Sequence, residues 1–110
     1  MINIKEIAND FVKKHKDFYI EKLTENSCEI TDKNFTIKLD CKWDKWAGED
    51  SIFISIYTQG KICNLNSDFE IRRRLFASEL RKLNKGKEII FDFMEIALSI
   101  LKKIKTIGEL

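Results

Sequence analysis

The first fifteen residues carry apolar side chains at helical spacing. Those that share one face are Ile4, Ile7, Ala8, Phe11 and Val12. Steps of three and four residues are typical of an amphipathic helix. Asn3 is a favourable N-cap residue, and Glu6 follows it by three positions, as in a capping box. We therefore predict a first helix from about Asn3 to His15, with His15 packing or capping at its end.

From residue 18 to residue 66 the hydrophobic period changes to two, which indicates strands. Residues 35–43 alternate strictly and predict a half-buried strand with Trp43 on its inward side. Residues 52–58 are apolar on both sides, as expected of a central strand. Gln59 and Gly60 permit a hairpin into residues 61–65. A weaker strand covers about 19–23, and its continuation over 28–31, after Asn26 and Ser27, is left open. Short polar turns between these segments predict an antiparallel meander.

Two helices are predicted after the strands. Ser67 and Glu70 have the spacing of a capping box, and Gly86 is a stop signal for the helix that they open. Its apolar face comprises Phe69, Phe76, Leu80 and Leu83. The last helix runs from Glu88 to about Lys105 and is apolar over more than half of its circumference. Such a helix lies deep against the sheet or pairs partly with a second copy of the chain.

These elements predict a two-layer α+β fold over residues 1–110. It has an N-terminal helix, a three- to four-stranded antiparallel meander and two C-terminal helices packed on one sheet face. A chain of 110 residues and 13.0 kDa suits a single domain, and no repeat or linker divides it.

Composition narrows the class of protein. With 44% hydrophobic and 35% charged residues, the chain is expected to fold rather than remain disordered. No apolar stretch approaches the roughly 20 residues of a membrane span, and no secretory leader is recognisable, so we expect a cytoplasmic protein without membrane contact. The abundance of Ile, Lys and Asn suggests a bacterial, phage or mobile-element gene of low GC content.

Patterns of catalytic or metal-binding residues are missing. The three cysteines (Cys28, Cys41 and Cys63) form no CxxC pair, and His15 alone cannot complete a zinc set. The four glycines are isolated, so no phosphate-binding loop is present. We therefore predict a protein that is not an enzyme, has no cofactor or metal, and keeps its thiols reduced.

One candidate binding feature is the connection between the two clearest strands. Trp46 lies in this segment, where an indole either folds back over the core or contacts a partner. Asp44, Glu49 and Asp50 surround it and would supply an acidic rim. The sequence thus marks a partner-binding loop, with core packing of Trp46 as the alternative.

The second candidate is a basic helix over residues 72–87, which carry seven basic residues against one acid. On a helix, Arg74, Arg81 and Lys85 would lie within about 40° of one another. Such a stripe binds phosphates or an acidic partner, or is simply a solvated face.

These observations favour a non-enzymatic, stoichiometric binding protein. The specific hypothesis is an immunity or phage-type inhibitor protein that neutralises a cognate bacterial toxin, or another host enzyme, by occluding its active site. The first alternative is a nucleic-acid-associated protein that uses the basic helix. The second is a homodimeric structural module built through the long apolar helix, so the chain is expected as a monomer or a homodimer.

Overall fold

A computed structural model describes residues 3–58, 69–82 and 86–108, with the side chains at positions 81, 82, 86 and 108 left out. The elements in chain order are α1 (Ile4–Lys14), β1 (Tyr19–Leu23), β2 (Ser27–Thr31), β3 (Phe35–Asp44), β4 (Glu49–Thr58), β5 (Glu70–Phe76), α2 (Ala77–Lys82) and α3 (Gly86–Gly108). The α+β class, with an N-terminal helix, an antiparallel sheet and C-terminal helices, is confirmed.

Helix α1 begins and ends as its sequence predicts. The Asn3 side chain accepts a hydrogen bond from the Glu6 backbone N–H at 3.1 Å, which satisfies a donor of the first turn. At the other end the His15 N–H donates to the Phe11 carbonyl at 2.9 Å. The His15 ring also stacks on the Phe11 ring, with centroids 4.3 Å apart. His15 is therefore a capping and packing residue, as predicted.

Within the described residues, the sheet has five antiparallel strands in the order β1-β2-β3-β4-β5. The predicted meander is confirmed, although the prediction of three or four strands was too low. Strands β3 and β4 are the longest and pair over their full length, from Phe35 opposite Thr58 to Asp44 opposite Glu49. The segment 59–65, predicted as a hairpin, lies outside the described residues.

One face of the sheet forms the core with the helices, and the other carries mostly polar side chains. On the core face Ile37 and Ile54 are fully buried, as are Met94 and Leu101 of α3. On the opposite face Phe53 is 39% exposed. Alternation of side chains along each strand produces this two-layer arrangement.

The predicted helix over residues 67–85 is wrong in its first half. Residues 70–76 form β5, and helical structure begins only at Ala77. Ile56 lies opposite Ile71, and Ile52 lies opposite Leu75, so the strand extends the core face of β4. Ser67 lies outside the described residues, and Glu70 starts a strand instead of a helix.

Helix α3 extends two residues earlier and three residues later than predicted. Within the described ranges, no helix is both long enough and apolar enough to cross a bilayer.

Candidate partner-binding surface

Residues 43–50, which we call the hairpin tip, join β3 to β4 through a tightly bonded turn. The Asp44 carboxylate accepts hydrogen bonds from the backbone N–H groups of Trp46 and Ala47, each at 2.9 Å. The Gly48 N–H donates to the Asp44 carbonyl at 2.8 Å. Gly48 has φ +67°, a conformation that glycine adopts without steric cost. The backbone of the tip is therefore fixed by local bonds.

Both tryptophans of the hairpin tip face solvent. Trp46 is 91% exposed, so the alternative that its indole covers the core is wrong. Trp43 is 64% exposed, and the prediction that it belongs to the core is wrong as well. Trp43 has the same strand parity as the buried Leu39 but lies at the far end of β3, where it lines an open groove instead of the core.

This groove has a volume of about 790 Å³ and separates the start of α1 from the hairpin tip. Its walls are Asn3, Lys5, Glu6, Glu25, Asn26, Cys41, Trp43 and Asp50. Lys5 pairs with Glu25 at 2.8 Å beside it, while Asp50 lies opposite Trp43 in the β3–β4 register. The groove thus places one indole among residues that mostly carry polar groups, whose aliphatic carbons also line it.

The described cysteines are free thiols whose surroundings favour the protonated form. Burial raises the pKa of Cys28 to about 12. Burial, together with the charges of Asp50 and Asp40, also raises the pKa of Cys41. Because the thiolate is the nucleophilic species, neither thiol is activated. Cys63 lies outside the described residues.

The acidic residues at the hairpin tip are largely engaged within the chain. The Ala47 N–H, and then the Trp46 N–H and the Arg74 charge, hold the pKa of Asp44 below its ordinary value. Arg74 pairs with Asp44 at 3.3 Å. The Glu49 carboxylate accepts a hydrogen bond from the Ser78 N–H of α2 at 2.7 Å. Asp44 and Glu49 thus connect the tip to β5 and α2.

The structure brings five of the seven predicted binding residues to one end of the molecule. They are Asp44, Trp46, Glu49, Asp50 and Arg74. The predicted acidic rim around Trp46 is not what the structure shows for Asp44 and Glu49. Together with Arg74, these residues support the backbone of the tip through contacts within the chain. Sequence reasoning missed this supporting role, which depends on contacts between β3 and β5.

The predicted basic helical stripe is not formed. Arg74 lies on β5, Arg81 has its backbone in α2, and Lys85 lies outside the described residues. Residues on a strand and on a following helix cannot share one helical face, so the predicted 40° alignment is wrong.

Cations on the polar sheet face have acidic neighbours, a feature that the sequence did not reveal. Lys38 lies 3.4 Å from Glu29, and Arg72 lies 3.0 Å from Glu70. The other pairs on this face are Lys22–Glu29 at 3.3 Å, Lys42–Asp40 at 3.2 Å and Arg74–Asp44 at 3.3 Å. Paired charges of this kind leave little net positive potential for binding phosphates.

His15 also connects α1 to α3. Its Nε2 atom lies 2.9 Å from the Glu95 carboxylate, and the Lys14 ammonium lies 2.9 Å from the same group. Hydrogen bonds from Lys14 and His15 lower the pKa of Glu95. This cluster therefore links α1 to α3 at the surface.

Among the described residues, no three His, Cys, Asp or Glu side chains lie close enough together to hold a metal ion. No family model, curated protein or solved structure matches this chain.

Proposed function

We propose that this chain is a non-enzymatic binding protein that inserts Trp46 into an apolar pocket of a protein partner. The observation that carries the proposal is the 91% exposure of this indole at the end of a hairpin. Tryptophan is enriched at binding hot spots because it buries a large apolar area, while its N–H can still donate a hydrogen bond.

The fixed backbone of the hairpin tip supports this proposal. Asp44 and Gly48 close the turn with local hydrogen bonds, while Arg74 and Ser78 connect the tip to neighbouring elements. Binding by a pre-ordered loop loses little conformational entropy, so more of the contact energy contributes to affinity.

The chemistry of the tip indicates what the partner offers. The charge of Asp44 is paired with Arg74, and the Glu49 carboxylate is directed to the Ser78 N–H of α2. The recognised feature is then an apolar pocket of indole size with an acceptor for the indole N–H.

In its specific form, the proposal is that the partner is an enzyme and that the hairpin tip occludes its active site. A two-stranded hairpin with one exposed indole at its turn is a suitable shape for an enzyme cleft. A cognate bacterial toxin inhibited by an immunity protein is the example that we favour. The mechanism is steric exclusion of substrate, with no reaction catalysed by this chain.

The arrangement of the described residues favours a protein partner over the nucleic-acid alternative. Its stripe of Arg74, Arg81 and Lys85 required one helix, and the structure instead has a strand followed by a short helix. The pairing of Arg72 and Arg74 with acidic side chains also reduces the charge available to phosphates.

The proposal is tested by comparing the wild-type chain with Trp46→Ala and with a control, Tyr19→Ala. Tyr19 is 58% exposed and lies on β1. Each chain is used to capture proteins from the source organism and to bind the products of neighbouring genes. We expect a 1:1 protein complex that Trp46→Ala weakens by about 30-fold or more, as for a hot-spot residue, and that Tyr19→Ala leaves nearly unchanged.

Two outcomes would contradict the proposal. One is equal affinity of wild type and Trp46→Ala for every captured protein. The other is captured material that consists of nucleic acid and is released by moderate salt. The inhibitor mechanism is tested separately by titrating the partner enzyme, whose activity should vanish at one equivalent. Unfolding curves of both variants should match wild type within about 0.5 kcal/mol, because both side chains are exposed.

A further inference from the structure

Helix α3 carries a second apolar stripe on its solvent side, which we call the outer seam. Its members are Ile89, Phe93, Ile96, Ile100, Lys103 and Ile107. Three of the isoleucines are strongly exposed: Ile96 to 61%, Ile100 to 45% and Ile107 to 64%. The successive spacings are four, three, four, three and four residues, which is the pattern of a coiled-coil seam.

Two seam members, Ile89 and Phe93, are partly buried against the core, whereas Ile96, Ile100 and Ile107 lie on the solvent side of α3. Ile90, Met94, Ala97 and Leu101 are each no more than 1% exposed. At 3.6 residues per turn, the seam residues fall within an arc of about 80°, and its centre is about 110° away from the buried face. The exposed isoleucines therefore form an apolar surface on the solvent side of α3, and Ile89 and Phe93 connect this surface to the margin of the core.

The spacing of the seam is symmetric about position 98. If two copies of α3 run antiparallel about this midpoint, Ile96 faces Ile100 of the second copy and Ile89 faces Ile107 of the second copy. The seam is thus complementary to itself under a two-fold rotation, as a homodimer interface requires.

The charges beside the outer seam favour the antiparallel direction. Asp92, in the first half of α3, flanks the seam, and Lys103, in the second half, belongs to it, both within about 60° of the seam centre. Antiparallel pairing places Asp92 of each copy near Lys103 of the other, whereas parallel pairing places like charges together.

Lys103 is the single polar member of the seam, and the antiparallel register accounts for it. The register places Lys103 opposite Phe93 of the second copy, whose ring its aliphatic stem can cover. Its ammonium then lies beside Asp92 of the second copy. Within the described part of the chain, neither Asp92 nor Lys103 forms an ion pair.

We propose that the outer seam is the site at which two copies of this chain associate through antiparallel α3 helices. This surface is distinct from the hairpin tip, so dimer formation does not depend on the function proposed above. A specific interface buries on the order of 1,000 Å² or more in total, and a single helix pair is at the low end of that scale. We therefore expect a dimer with a dissociation constant in the micromolar range.

The first experiment measures molecular mass by sedimentation equilibrium between about 1 µM and 1 mM, in reducing buffer to exclude disulfide-linked dimers. Wild type should shift from monomer to dimer over this range. Ile96→Glu/Ile100→Glu should remain monomeric at every concentration. Leu23→Glu, at a 38% exposed apolar residue on β1, should dimerise like wild type, as should Trp46→Ala.

The second experiment tests the direction of the helices without removing apolar contacts. Asp92→Lys and Lys103→Asp should each weaken the dimer by about fivefold or more, and the double charge reversal should restore it. Circular dichroism of each variant confirms that the fold is intact.

Either of two results would overturn the proposal. The first is a wild-type chain that stays monomeric to 1 mM. The second is a dimer that survives Ile96→Glu/Ile100→Glu, or one whose single charge variants are not rescued by the double reversal.

Discussion

Gly48 is the residue on which the backbone of the hairpin tip depends most directly. Its φ is +67°, and a Cβ atom added there would meet no other atom within 4 Å. Any loss on substitution therefore reports backbone strain and not a steric clash. We predict that Gly48→Ala lowers the free energy of unfolding by about 1 kcal/mol.

Gly48→Asn is the matched variant for this prediction, because asparagine adopts positive φ more readily than alanine. Chemical denaturation should show a smaller loss for Gly48→Asn than for Gly48→Ala. Equal stability of Gly48→Ala and wild type would mean that the turn is not held in this conformation in solution. Binding of the partner should weaken in the same order as stability, because both depend on the turn.

Trp43 shows what hydrophobic alternation can and cannot predict. The alternation of residues 35–43 correctly assigns Trp43 to the same sheet face as Leu39. It does not reveal how far along the strand the helices extend, and at Trp43 the side chain is 64% exposed. The local sequence determines to which face of the sheet a side chain points. Whether that side chain is buried depends on helices that are distant in sequence. The position of Trp46 between two strands identified it as a candidate partner-binding residue. The sequence alone could not show that its indole is exposed.

Strand β4 allows the two faces of the sheet to be compared at neighbouring positions. Ile54 is fully buried beneath the helices, and Phe53 is 39% exposed on the polar face. We predict that Ile54→Ala lowers the free energy of unfolding by about 2–5 kcal/mol, because it leaves a cavity in the core. Phe53→Ala should cost clearly less, although phenylalanine is the larger side chain.

Urea unfolding of both variants checks this prediction, with m-values compared to ensure that the unfolded states are equivalent. A larger loss for Phe53→Ala than for Ile54→Ala would indicate that the polar face is covered in solution. The comparison is therefore also a test of which face of the sheet carries the core.

The sequence predicts a helix where β5 lies, because the apolar residues in this segment fit the helical period as well as the strand period. Phe69, Phe76 and Leu80 have helical spacing, and the strand pattern of Ile71 and Leu75 is interrupted by Arg73 on the same side. In the structure this position lies at the edge of the sheet, where a charged side chain can reach solvent. Pairing with β4 satisfies backbone groups that would otherwise be unpaired, and local propensity does not include that contribution.

Both edges of the sheet carry features that disfavour pairing with another strand. On β5, Arg72, Arg73 and Arg74 are consecutive and exposed. Strand β1 has only five residues, with a register irregularity between Ile20 and Lys22. Charged, short or bulged edges resist the addition of further strands. Recognition through the hairpin tip and the outer seam is consistent with these protected edges.

At the scale of the whole molecule, ion pairs connect elements that are far apart in sequence. Lys87 of α3 contacts Glu6 and Asp10 of α1. Glu95 of α3 contacts Lys14, which also belongs to α1. The pairs Lys5–Glu25 and Arg74–Asp44 connect α1 to the β1–β2 turn and β5 to β3. Because these pairs are partly exposed, each is worth little, and hydrophobic packing supplies most of the stability.

These pairs nevertheless determine how stability depends on pH. The carboxyl groups whose pKa values lie below their ordinary values are Glu25, Asp44, Glu70 and Glu95. The ordinary values are 4.5 for Glu and 3.8 for Asp. Since the unfolded chain binds these protons at higher pH than the folded chain, protonation favours unfolding. We predict a free energy of unfolding that is level from pH 7 to about pH 5 and falls progressively below about pH 4.5.

Glu95→Gln isolates one member of this set, because glutamine keeps the shape of the side chain and removes its charge. At pH 7 the variant should lose up to about 1 kcal/mol relative to wild type, the contribution of a partly exposed pair. The difference should shrink as the pH falls through the lowered pKa of Glu95, since wild type then loses the same charge. Urea midpoints at pH 3, 4, 5 and 7 measure both curves. A difference that is constant over this range would show that the contact of Glu95 with Lys14 and His15 acts through packing and not through charge.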